Sequence, residues 1–156
     1  MRGVRLGVDV GSVRVGVAVS DPDGILATPL VTIARDSRAD DDATPGDIAA
    51  IAALVIERGV VEVIVGLPIN LAGREGLAAI STRQYADRLA RHIDPVPVSM
   101  TDERMSTVTA SRRLSERGVR GRRQRAVVDQ AAAVEILQGW LDARRAGMRR
   151  GGSGAD

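Results

Sequence analysis

The 156-residue sequence has no cysteine, no lysine and no phenylalanine, and holds one tryptophan, one tyrosine and one histidine. Without cysteine there is neither a disulfide framework nor a thiolate metal site, and a lone histidine cannot supply a paired-imidazole site. The scarcity of aromatics removes the stacking platform on which single-strand binders lay their bases. No run approaches the ~20 consecutive apolar residues of a membrane span. The chain enters a strand-like run almost at once, so no signal peptide is expected and the cytoplasm is the default location.

What is present is aliphatic. Hydrophobic residues make up 44% of the chain, and with so few rings the core must be built from Val, Ile, Leu and Ala. That composition favours Val-rich strands under Ala-rich helices, an α/β packing, in a chain of single-domain length. All 22 basic residues are arginine, in line with a compositional bias of the genome. Their placement is uneven: residues 1–100 carry 10 Arg against 13 acids, and residues 101–156 carry 12 Arg against 7. The C-terminal third is therefore the face expected to meet a polyanion.

Two short Val-rich runs, Val4–Val10 and Arg14–Ser20, flank Gly11-Ser12-Val13 and predict a hairpin. A third strand is expected over Ile25–Ile33. The acidic stretch DSRADDDATPGD then reads as a solvated loop that starts a helix, with Thr44 as N-cap, Pro45 at the first helical position and Asp47 three residues after the cap. Gly59 should stop that helix. A buried parallel strand follows at Val60–Val65, then a helix from Leu77 to His92 and a last short strand at Pro95–Met100. Two further helices are predicted, Thr107–Arg117 and Ala126–Arg145, separated by an arginine-rich loop. Residues 146–156 are expected to form a disordered tail after one domain spanning 1–145. This order implies a mixed sheet flanked by helices, with ligands gathering at the carboxyl ends of the strands.

Three acidic features stand out. Asp9 ends the first strand beside Gly11, a position that serves a turn as well as it serves a site. Asp102 and Glu103 follow the last strand in TDERMST, where an exposed acidic turn paired with Arg104 is an equally good account. Asp129 shares a helical face with Ala132, Ala133, Ile136 and Trp140. The helix dipole favours an acid near a helix start, but does not explain one on a buried face. Three carboxylates aimed at one rim would repel one another, and divalent cations relieve that repulsion. All-oxygen ligands suit Mg²⁺ or Mn²⁺, and two such ions can activate water for phosphodiester hydrolysis. The run SRRLSERGVRGRRQR puts seven arginines between Arg112 and Arg125, next to Asp129 and suited to gripping phosphates. His92, at a helix end, fits a solvated or dipole-stabilised role.

Four stretches in order, DVGSVRVGVAVSD, VGLPINLAGREG, TDERMSTVTA and VDQAAAVEILQGWL, resemble the motifs of the YqgF family. These are small bacterial RNase H-like nucleases assigned to pre-16S rRNA processing or to Holliday junction resolution. The resemblance runs from about Val4 to Leu141. It implies a five-stranded mixed RNase H-like sheet, its first three strands antiparallel, with Asp9, Glu103 and Asp129 as catalytic, metal-binding acids for two Mg²⁺ or Mn²⁺ ions. It makes Arg14, Asn70 and Arg104 candidates for substrate contact, joined by Arg122 and Arg123 of the basic run. Where relatives often carry lysine ahead of the last aspartate, this chain has arginine, which keeps the charge but not the point-donor chemistry. The fourth strand ends in GLPIN with no acid, so the second carboxylate rests on the DER motif.

The expected activity is that of a nuclease trimming the 5′ end of pre-16S rRNA, with structured RNA in a ribosome precursor as partner. A Holliday junction resolvase acting on branched DNA is the alternative; it would need a homodimer, whereas an rRNA nuclease can be a monomer. A non-catalytic ribosome-associated RNA binder is a third expectation on the same fold. An ATP-binding protein of the actin or sugar-kinase type shares the Asp-x-Gly hairpin. It would need a second domain and would leave Glu103 and Asp129 without a role.

Overall fold

The structure, a computed structural model, describes residues 2–36, 44–69, 75–102 and 122–152. The chain runs β1 (Val4–Val10), β2 (Arg14–Ser20), β3 (Ala27–Ala34), α1 (Gly46–Arg58), β4 (Val60–Leu67), α2 (Leu77–Ile93), β5 (Val98–Asp102) and α3 (Arg122–Gly152). The five strands form one sheet in the order β3-β2-β1-β4-β5. The first three are antiparallel, and β4 and β5 run parallel to β1. This is the mixed RNase H-like sheet that the motif resemblance implies.

Period-two alternation divides the strand residues between two helical layers. Leu6, Val8, Val15, Val17, Val63 and Val65 pack with Ile48, Ile51 and Val55 of α1 and with Tyr85, Ala86, Leu89 and Ile93 of α2. On the opposite face Ala18 and Ile64 pack with Ala133, Ile136, Leu137 and Leu141 of α3. Small residues make that second face shallow. A Cβ on Gly7 would stand 2.6 Å from Leu137 Cβ and 2.9 Å from the Ala133 carbonyl oxygen. The helix therefore lies almost directly on the strands.

The hairpin has the predicted bounds. β3 is shifted by two residues at its start and one at its end, because Asp21 organises the turn before it. Its Oδ1 accepts the N–H of Ile25 and Leu26, and its Oδ2 that of Asp23. These backbone donors, Leu26 foremost, hold the Asp21 carboxyl below its usual pKa.

The start of α1 differs from the expectation. Pro45 is the N-cap residue, and Thr44 does not cap the helix. Thr44 Oγ1 instead lies 3.1 Å from His92 Nε2, and the Gly46 N–H is taken by Asp36 Oδ2 at 2.7 Å. Gly59 does end α1, in the left-handed region at φ 60°. β5 begins at Val98 rather than Pro95, since Val96 N–H turns back to the Ile93 carbonyl. α3 is longer than expected at both ends and runs on to Gly152 through most of the predicted tail; residues 153–156 and the predicted Thr107–Arg117 helix lie outside the described residues.

Candidate active site

Parallel pairing brings the carboxyl ends of β1, β4 and β5 to one edge of the sheet, and the hairpin adds the amino end of β2. Asp9 stands at this edge. Its neighbours in β1, Val8 and Val10, belong to the α1/α2 face, so Asp9 falls on the α3 face. It is only 2% exposed. Gly16 is directly opposite Asp9 on β2. A Cβ at Gly16 would sit 2.2 Å from the backbone oxygen of Asp129, so only glycine lets α3 come down at this point. The helix thus delivers Asp129 beside the cross-strand neighbour of Asp9.

Asp129 is the eighth residue of α3, not a first-turn residue. The helix-dipole account of this acid therefore falls away, because that effect fades within the first turn. Ala132, Ala133 and Ile136 are buried as its face predicts, together with Leu137 and Leu141, while Trp140 is only partly buried. Trp140 has an arginine over its ring from each side of the packing, Arg5 at 5.5 Å and Arg144 at 5.8 Å.

Arg14 occupies the α3 face two residues before Gly16. Its Nε donates to Asp129 Oδ2 at 3.0 Å, and both side chains keep partial solvent access. The sequence marks Arg14 as a substrate contact but gives no sign of this partner. Gln130, next on α3, donates from Nε2 to Thr32 Oγ1 at 3.0 Å and fixes the helix over β3 as well. His92 takes no part at this edge; Nδ1 lies 2.8 Å from the Arg88 carbonyl oxygen.

The turn between β1 and β2 is gripped from the other side of the sheet. Arg35, the residue after β3, donates from a terminal nitrogen to the Gly11 carbonyl at 2.7 Å, and its own N–H reaches the Val13 carbonyl at 2.8 Å. Its guanidinium lies 5.0 Å over the Tyr85 ring and its Nε 4.0 Å from Asp47 Oδ2. Sequence reasoning places Asp47 in a helix-start signal. In the structure it is a buried carboxylate, 1% exposed, whose Oδ1 accepts the Ile48 N–H.

A family model described as "RuvX: Holliday junction resolvase" matches residues 3–143. The chain belongs to the RuvX (YqgF) family. A protein of Rhodococcus jostii (strain RHA1) named "Putative pre-16S rRNA nuclease" is 57% identical over 155 residues, spanning 99% of this chain and 86% of the relative. A protein of the same name from Mycolicibacterium paratuberculosis (strain ATCC BAA-968 / K-10) is 56% identical over 153 residues, with 98% and 88% covered. Among solved structures, T. thermophilus RuvC in complex with a Holliday junction substrate matches with a TM-score of 0.55 at 16% identity. That match covers 92% of this chain and 96% of RuvC, a likeness of fold.

Of the residues that the sequence nominates in this RuvX chain, the structure brings Asp9, Arg14 and Asp129 to one edge on one face. Asn70, Glu103 and Arg104 lie outside the described residues, as do the side chains of Arg122 and Arg123, which open α3. Among the described residues no group of three or more His, Cys, Asp or Glu is gathered closely enough to hold a metal ion. Asp9 and Asp129 nevertheless fit one. They are two carboxylates of an all-oxygen donor set, Asp9 paired across the hairpin with Gly16 and Asp129 on the helix that lies on Gly16, and such a set suits a hard divalent cation.

Proposed function

We propose that this chain is a metal-dependent nuclease that hydrolyses phosphodiester bonds, acting in the cytoplasm on the 5′ end of pre-16S rRNA. The observation that carries the proposal is Asp9. It is a buried carboxylate at the carboxyl end of the central strand, with α3 lowered onto its cross-strand neighbour Gly16 so that Asp129 reaches the same edge. The names of the curated relatives supply the substrate.

In this reading Asp9 and Asp129, with Glu103 directly after β5, hold one or two Mg²⁺ or Mn²⁺ ions. A bound divalent ion supplies a water of lowered pKa and offsets charge on the leaving oxygen. The burial of Asp9 keeps its carboxylate in one orientation and limits competing water. Arg14 holds Asp129 in place through one oxygen, leaving the second available. Residues 1–145 act as one nuclease domain. Asn70, Arg104, Arg122 and Arg123 contact the phosphate backbone of the substrate.

The test is cleavage of a 5′-extended small-subunit rRNA precursor with Mg²⁺ and with EDTA. Shortening of the precursor with Mg²⁺ alone is expected, and no cleavage, or cleavage that persists in EDTA, overturns the reading. Branched DNA is a second substrate candidate, because the matching family model is described as a Holliday junction resolvase. A resolvase needs two sites facing a two-fold junction. A solution mass that doubles on adding a four-way junction, with paired incisions, would favour it over the rRNA reading.

A further inference from the structure

We infer that Arg35 is a positioning residue for the nuclease site, a clamp that fixes the turn joining Asp9 to Arg14 from the face of the sheet opposite Asp129. The inference rests on the nuclease reading above.

Arg35 touches that turn twice, from its guanidinium to the Gly11 carbonyl and from its backbone N–H to the Val13 carbonyl. The turn closes on itself through the Gly11 N–H and the Arg14 carbonyl at 2.9 Å. Gly11 is two residues from Asp9, and Arg14 carries the ion pair to Asp129. A displacement of this turn therefore moves both elements that place Asp9 and Asp129. Arg35 is held in turn by the Tyr85 ring beneath it and the Asp47 carboxylate beside it. Its chain neighbour Asp36 is tied to the start of α1 through the Gly46 N–H.

The character of Asp47 is what marks this as more than packing. Asp47 is a fully buried carboxylate, its Oδ2 4.0 Å from Arg35 Nε and its charge acting on the buried Tyr85 hydroxyl. Burying an ion pair is costly, and apolar side chains of similar volume commonly stabilise such a place as well or better. A stability role alone does not account for Asp47. A fixed negative charge that orients the Arg35 fork does, because a planar guanidinium needs a partner to hold one direction.

Three variants test the clamp: Arg35→Gln, Asp47→Asn as the milder change should the first fail to fold, and Ile51→Val as a core control outside the site. Two quantities are read. One is hydrogen exchange of the Gly11 amide; the other is the Mn²⁺ concentration giving half-maximal cleavage of the rRNA precursor. The clamp predicts at least tenfold faster Gly11 exchange in Arg35→Gln. It also predicts an Mn²⁺ midpoint about tenfold higher, the size seen when support of a metal ligand is lost. Asp47→Asn should move both in the same direction by less, and Ile51→Val neither. Gly11 exchange no faster than in Ile51→Val overturns the clamp. Faster exchange with an unshifted Mn²⁺ midpoint overturns its link to the site. If the wild-type protein cuts nothing, the nuclease reading fails, and Gly11 exchange still decides whether Arg35 holds the turn.

Discussion

Arg14 and Asp129, 115 positions apart, are joined by a 3.0 Å hydrogen bond from guanidinium to carboxylate. The pair ties the first hairpin to the helix that lies across it. With both side chains partly solvated, its worth should be about 0.5–1 kcal/mol. Urea unfolding of Arg14→Gln, Asp129→Asn and the double variant should give a coupling energy of that size at low salt, and less at high salt. A cation bound through the other oxygen of Asp129 offsets the charge that attracts Arg14. The coupling should therefore shrink when Mn²⁺ is present; an unchanged coupling would place the ion elsewhere.

Gly16 and Gly7 separate helix placement from core packing. Alanine at Gly16 would collide with the backbone of Asp129, and alanine at Gly7 with Leu137 and Ala133. Each should lower stability by roughly 1–3 kcal/mol through overpacking. Mg²⁺-dependent cleavage, measured where both variants are fully folded, should fall much further in Gly16→Ala, whose collision is at Asp129 itself. Equal losses of activity would contradict the placement of the site at this edge.

Tyr85 predicts a stability loss at alkaline pH. Burial first, and then the charge of Asp47, push its phenol above the ordinary value of 10.0. A folded pKa raised above the unfolded one contributes stability below pH 10 that is lost as pH rises beyond it. Wild-type protein should destabilise above pH 10 more steeply than Tyr85→Phe, followed by urea midpoint against pH. Parallel profiles would show that Tyr85 ionises as freely folded as unfolded.

Much of the frame is legible in local pattern. The Val-rich runs around Gly11 set the hairpin, because β-branched residues and a glycine turn are signals a few residues long. The small, apolar face around Asp129 in α3 is likewise visible at helical spacing. The glycine that admits this helix carries a signal too: an isolated Gly16 inside a Val-rich strand marks close backbone approach. Other features are not periodic. Thr44 looks like a cap, yet bonds toward His92, and Asp47 looks like a helix-start acid but is buried beneath Arg35. The partners of Arg14 and Arg35 come from distant elements, and no spacing along the chain encodes them. The length of α3 was hidden by its ends, where arginine and glycine replace the apolar stripe.

The most direct measurement compares wild-type protein with Asp9→Asn on the 5′-extended small-subunit rRNA precursor, at saturating Mg²⁺ and after EDTA. Asparagine keeps the shape of the side chain and removes the charge that would bind a cation. Loss of a residue that merely supports a ligand costs 10–100-fold, so loss of Asp9 itself should lower cleavage by about a hundredfold or more in a protein that still folds. Mg²⁺-dependent cleavage at the wild-type rate by folded Asp9→Asn would contradict the assignment of this edge as the nuclease site.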